Sequence, residues 1–357
     1  MTLSRFSRPQ LVFAGVLCVS LVLQIWIWFS PLPYTDADLW SSAARDFAAL
    51  NFPGFNSPIP PHPGTSILLP ASVLIVAGIP FAQALPLTMA VLLSLCIACI
   101  ARLSYELRPK SLWWVGASAL LIPNPLYLEM TVPSALAALL TCIYVLLLLK
   151  WREDNSSGRD SFWLGMTGGI LLATRVDFGA AFLLASLPFL YPLVGNKIFR
   201  IGGFALLFFG ALNPYFWVDP VLYVLTFFRQ VGFNVVTEVG FSYARSSISL
   251  AVAAYVLALF AVYLKPRLSS LPRDFSFWLI ATTAVLTGIM LLSKYHPIRY
   301  FFPLMCVWEI LLPLFIFDYL ERLNVLALAR RVRVEYLFIV LCVAERFSLI
   351  SLLWIWQ

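Results

Sequence analysis

The chain has 357 residues, of which 61% are hydrophobic and only 11% charged. An ordinary soluble domain is about 25% charged, so the composition excludes a soluble multi-domain protein, a disordered chain and a secreted disulfide scaffold. The net charge of +7 is no nucleic-acid footprint, because the Lys and Arg residues fall in short clusters between apolar runs. The expected class is an all-α polytopic membrane protein.

A membrane helix needs about 20 apolar residues. The first run, 11–30, follows Arg5 and Arg8 without a small-residue cleavage site and reads as a retained anchor. Further spans are expected at 83–101, 112–125, 131–149, 161–175, 177–194, 198–213, 247–264, 275–292, 301–317 and 336–355, about 11 in all. With the N-terminus inside, 17 of the 24 Lys and Arg residues fall in cytoplasmic segments. Six fall outside: Arg45, Arg175, Arg229, Arg245, Lys294 and Arg299. That bias fixes the expected orientation. It would collapse if 64–80, GTSILLPASVLIVAGIP, were a further span. This segment is therefore expected as an interfacial or re-entrant piece on the outer side, which is tolerated at membrane depth only where it is buried in protein or lines a cavity.

The chain is expected to form one membrane-embedded domain, 1–357, with a long first outer loop, 31–82, and no appended soluble domain. That loop holds Asp36, Asp38, Arg45 and Asp46, and has five prolines in 53–63, which rule out a regular helix there. The second outer loop carries Glu129, and the loop 214–246 carries Asp219, Arg229, Glu238 and Arg245. The last charged one is SKYHPIRY, 293–300. The six cysteines all lie in apolar runs, and the Cys96–Cys99 spacing reads as helix packing rather than a redox motif.

An ionisable group at membrane depth is expensive and marks a functional site by default. Arg175 and Asp177 lie about fifteen residues past the cytoplasmic charges at Arg159 and Asp160, or roughly 22 Å along a helix, near the outer face. Two readings stand: an interfacial ion pair or snorkelling arginine, and a cation facing an anionic phosphate. Lys294, His296 and Arg299 admit the same pair of readings, with Tyr295 and Tyr300 as interfacial aromatics. Glu309, Glu345 and Arg346 read as internal packing ions. His62 stands before Pro63 in the Pro-rich loop, and neither it nor His296 has zinc-ligand spacing. Two histidines at such positions assemble no Ser-His-Asp set.

Several stretches together resemble the polytopic lipid-linked-sugar glycosyltransferases of the GT-C type, which include bacterial protein mannosyltransferases, aminoarabinose transferases of lipid A and oligosaccharyltransferases. DADLWSSAARDFA, 36–48, resembles their first outer loop, which begins with an acidic pair and runs into an Ala-rich amphipathic helix. PPHPGTSILLP, 60–70, is similar to their Pro-rich entry into the next membrane segment. WLGMTGGILLATRVDFGAAFLL, 163–184, resembles their Gly-rich span ending in a basic residue, and NPYFWVDP, 213–220, and HPIRYFFPL, 296–304, look like two further family pieces. The resemblance implies a GT-C-like fold in the bacterial cytoplasmic membrane with its active site facing outside. It puts Asp36 on the catalytic Asp and Glu129 near the second acidic position. Ala37 stands where many relatives have Glu, which leaves Asp38 as a substitute.

Arg175, Lys294 and Arg299 would contact the donor phosphate. His62, His296 and Tyr300 would line the cavity, and Asp36 with Glu129 would hold a divalent cation such as Mg or Mn if one takes part. The implied partners are a polyprenyl-phosphate sugar donor, a glycan, lipid or protein acceptor and the bilayer, with no nucleic acid. Such transfer needs a carboxylate to take the acceptor proton and cations to receive the departing phosphate. Two other readings remain open: a transporter or flippase of an anionic lipid-linked substrate, and a ligase moving a preassembled glycan. A transporter more often shows two related halves, and no internal repeat is visible here.

Overall fold

The computed structural model describes residues 7–29, 37–49, 68–107, 109, 111–120, 132–153, 158–176, 196–213 and 335–341, with shorter pieces at 179–180, 183, 186, 217, 219–221, 223–225, 228 and 343–344. Among the described residues every regular element is a helix: α1 Arg8–Phe29, α2 Ala37–Ala48, α3 Leu69–Val76, α4 Phe81–Leu107, α5 Trp113–Leu120, α6 Val132–Glu153, α7 Gly158–Thr174 and α8 Asn196–Ala211. The expected spans at 247–264, 275–292 and 301–317 lie outside the described residues.

Local chemistry sets several of these boundaries. At α1, Ser7 and Gln10 form half of a capping box: the Ser7 N–H donates to Gln10 Oε1 at 2.8 Å, while Leu11 N–H closes the first turn onto the Ser7 carbonyl. Pro9 sits in that first turn, where its missing N–H leaves no intrahelical bond unmade. At the other extreme, α4 outruns its expected span of 83–101. Arg102 Nε donates to Glu106 Oε1 at 2.7 Å, and this i, i+4 pair carries the helix on to Leu107.

Among the described residues two helices are long and apolar enough to cross a membrane, α1 and α4. Their 22 and 27 residues rise about 33 and 40 Å, against roughly 30 Å of hydrocarbon. In contrast, α3 has eight residues and rises only about 12 Å, too short to cross. Gly78 ends it at φ +94°, a backbone conformation that favours glycine, and α4 begins after Pro80.

The chain divides into two compact units. The first comprises Met1–Ser41, Leu74–Cys142 and Phe301–Gln357. Within it α1 packs along α4, meeting it through Ser20, Gln24 and Ile27, which lie on one face of the helix and are all buried. Val19, Val22 and Trp26 point away and are exposed. Two hydroxyls of α4 are satisfied by the carbonyl four residues back: Thr88 Oγ1 on Ala84 O at 2.7 Å, and Ser94 Oγ on Ala90 O at 2.6 Å. Cys96, Cys99 and Cys142 are buried thiols in the core, outside any disulfide. The helix at 335–341 runs in the same direction as α5. Glu335 accepts from Ser111 Oγ at 3.2 Å, Trp113 stacks tilted on Phe338, and Ile339 lies over Gly116.

The second unit comprises Ser42–Val73 and Ile143–Tyr300. Its centre is α7, a helix with three glycines on the surfaces it shares with neighbours. Gly165 and Gly169 lie against Ile201, Phe204 and Ala205 of α8, so close that a Cβ on Gly165 would stand 2.6 Å from the Ile201 carbonyl oxygen. The order of these contacts shows that α7 and α8 run the same way. Phe162 locks the pair edge-on against Phe204 and Phe208, with centroids at 5.1 and 5.8 Å. The helix α6 runs the opposite way, since Lys150 meets Asp160 while Tyr144 lies over Gly168. Within each unit these relative directions are the ones that the expected spans require.

Candidate functional site

Arg175 is the one proposed site residue whose side chain is described, and it stands at a corner. Its N–H still donates to the Leu171 carbonyl at 2.8 Å, and its own carbonyl accepts from Gly179 at 2.8 Å. Between these bonds the chain reverses. Gly179 comes back against Leu172, where a Cβ would lie 2.6 Å from the Leu172 Cα, and Leu183 comes back against Gly168. These two contacts step away from the corner together, so α7 and the helical residues 179, 180, 183 and 186 pack as an antiparallel hairpin with Arg175 near its tip. Ser186 closes the lower part by sharing a 2.9 Å hydrogen bond with the buried Tyr144 hydroxyl of α6. Thr174 Oγ1, bonded to the Ile170 carbonyl at 2.8 Å, fixes the last turn before the corner. The Arg175 guanidinium is half-buried, with Nη1 shut off from solvent.

Helix α2 occupies 37–48, where the family resemblance implies an amphipathic helix. Ser41, Ala43 and Ala44 are buried, while the exposed Arg45 and the half-buried Asp46 form a 3.7 Å ion pair. Ser72 Oγ of α3 donates to the Ala44 carbonyl at 2.9 Å, tying the end of α2 to α3. Asp38 falls in the first turn of α2; its side chain, like all of Asp36, lies outside what the structure describes. Glu129, His62, Lys294, His296, Arg299 and Tyr300 also lie outside the described residues, as does Asp177. The two acids expected to hold a divalent ion, Asp36 and Glu129, are therefore not placed. Among the described residues no three His, Cys, Asp or Glu side chains gather as a metal site.

The end of α8 carries a cluster that the sequence did not single out. Asn213, fully buried, donates through Nδ2 to the Phe209 carbonyl at 2.7 Å, satisfying a helix-end acceptor. Its Oδ1 accepts from the Tyr223 hydroxyl at 3.4 Å, and Trp217 Nε1 donates to the Gly210 carbonyl at 2.7 Å. Burial pushes the Tyr223 phenol up from its ordinary range. The signal was present in NPYFWVDP: an Asn directly before Pro at the end of an apolar run is a helix-terminating residue with a side chain able to cap.

The chain matches no protein-family model, no curated protein and no solved structure.

Proposed function

We propose that the chain is a membrane glycosyltransferase of GT-C-like architecture with about 11 spans, which moves a sugar from a polyprenyl-phosphate donor to an acceptor at the outer face of the bacterial cytoplasmic membrane. The observation that carries this reading is Arg175, a half-buried guanidinium at the tip of a glycine-closed helical hairpin, at the level where the charge pattern puts the outer surface. Further support comes from the short α3, too short to cross, and from the relative helix directions in each unit, which fit the alternation of cytoplasmic and outer loops.

In this mechanism Asp36 takes the proton of the acceptor hydroxyl as that oxygen attacks the anomeric carbon. The bond between that carbon and the donor phosphate breaks, and the departing polyprenyl phosphate receives the electron pair. Arg175, Lys294 and Arg299 stabilise its negative charge, which grows in the transition state. Attack from the face opposite the leaving group inverts the anomeric centre and needs no covalent intermediate. Glu129 orients the acceptor, Asp38 supports Asp36 in place of the acid missing at Ala37, and His62, His296 and Tyr300 line the cavity.

Mass spectrometry of cell-envelope glycans with and without the gene tests the reading. The expected result is one sugar residue missing from an otherwise intact glycan. Loss of the sugar with lipid-linked donor accumulating on the inner leaflet, instead of the outer one, would replace the enzyme by a transporter.

A further inference from the structure

Because α7 and α8 run the same way, their N-termini stand at one end of the second unit, with Gly158 opening one helix and Asn196 the other. Cations collect at that end. The Arg200 guanidinium reaches back from α8 until Nη1 lies 3.9 Å from the point a Gly158 Cβ would occupy, bridging the two helix starts. Arg159, next in the chain, is exposed, and Lys150 arrives from the end of α6. Among the described residues the one carboxylate close by is Asp160, which is buried and already engaged by Lys150 at 3.4 Å. Arg159 and Arg200 have no ion pair or hydrogen bond among the described residues. Two polar groups near this end are also unanswered: the Ser161 hydroxyl in the first turn of α7 and the Trp151 indole N–H on α6 are both fully buried without a hydrogen-bond partner. Among the described residues positive charge and donors are thus in surplus.

An apolar strip leads away from this end. Phe199, beside Arg200, is 81% exposed, and Leu206 and Leu207 follow on the outward side of α8. Between them Gly202 and Gly203 have nothing within 4 Å of their Cβ positions and leave a shallow notch. A cationic head followed by an apolar notched strip matches an amphiphile, with its anionic group at Arg200 and its chain along α8.

We propose that this end binds the phosphate of an anionic phospholipid headgroup, held by Arg159 and Arg200 over the first turn of α7, with an acyl chain lying along Phe199, Gly203 and Leu206. Arginine forks meet phosphate oxygens bidentately. The site rests on the membrane-spanning reading of the chain but not on its chemistry as a transferase.

The test uses the full-length chain. Resistance to alkaline extraction from membranes is checked first, and a chain that washes off refutes the membrane reading itself. The chain is then purified in detergent, offered equal amounts of phosphatidylglycerol and phosphatidylcholine, and its retained lipid is counted by native mass spectrometry. Wild type should favour the anionic lipid by roughly tenfold or more, since each surface cation contributes about fivefold. The Arg159→Gln/Arg200→Gln double variant should bring the ratio close to one, and Arg8→Gln, which removes an exposed cation of α1, should leave it unchanged. Equal retention of both lipids by wild type overturns the site whatever the variants do. A double variant that keeps the full preference moves it elsewhere, and loss of the preference to a large excess of inorganic phosphate makes it a free-anion site instead of a headgroup site.

Discussion

Substituting Gly179 with Ala should open the hairpin that holds Arg175. The added methyl would stand 2.6 Å from both the Cα and the N of Leu172 and 3.0 Å from the Leu171 carbonyl carbon. All three are backbone atoms, so no side chain can swing aside and the limbs themselves must separate. Overpacking of this kind costs about 1–3 kcal/mol, a change of roughly 5- to 140-fold in the unfolding equilibrium at about 1.4 kcal/mol per tenfold. Gly203→Ala is the matched control, because nothing lies within 4 Å of its Cβ position. There the exchange should stabilise α8 by up to about 1 kcal/mol through helix propensity alone. Once the exposed Cys18 is replaced by Ser, the chain carries its own reporters: Cys96, Cys99 and Cys142 are buried and outside any disulfide, and react with a thiol dye on unfolding. Heating in detergent with such a dye should give a lower midpoint for Gly179→Ala and an equal or higher one for Gly203→Ala. Equal midpoints for Gly179→Ala and wild type, or equal damage from the two substitutions, would refute the hairpin geometry.

Three further outcomes are expected. Arg175→Ala should raise the apparent KM for the lipid donor, and Arg299→Ala more strongly; Lys at either position should rescue only in part because it lacks the planar fork. Wild-type donor saturation in both Ala variants would make these residues interfacial anchors. Tyr223 is held protonated by burial when folded, whereas the unfolded phenol ionises near pH 10, so stability should be unaffected below about pH 10 and fall above it. Tyr223→Phe should flatten that alkaline limb in the same thermal assay, and an unaltered limb would show that Tyr223 does not set it. A cysteine placed at Asn56 should react with an impermeant thiol reagent from outside the cell and one at Ser157 should not; the reverse pattern would invert the orientation.

Much of the helical content was legible because apolar runs of this length permit little else, and α1, α6 and α7 begin and end within a few residues of their expected bounds. The position of Arg175 between two helices was also legible, since a charge inside an otherwise continuous apolar stretch must be brought to an edge. That 64–80 is no full span was expected from charge parity, a property of the whole chain, rather than from its own composition, which resembles that of a span; the structure gives it the eight-residue helix α3. Other features could not be read. The shared direction and close approach of α7 and α8 depend on which glycines face which helix, and a glycine looks the same in sequence whether it is buried, as Gly169 is, or open, as Gly203 is. The Asn213–Tyr223 contact and the convergence of Arg200 on Gly158 join residues brought together by packing, and periodicity along one helix carries no record of them. The length of α4 was underestimated because its last turn is held by an Arg102–Glu106 pair instead of by apolar residues.

The central claim is that a carboxylate at the outer end of the first span performs sugar transfer. Its most direct test is release of radiolabelled sugar from a polyprenyl-phosphate donor to acceptor by purified Asp36→Asn, with dye-monitored unfolding to confirm the fold. The amide keeps the size and hydrogen-bonding capacity of the acid but accepts no proton, so transfer should fall by a factor on the order of 10² or more while donor binding survives. Asp38→Asn should lose less. Full transfer by Asp36→Asn would contradict the account.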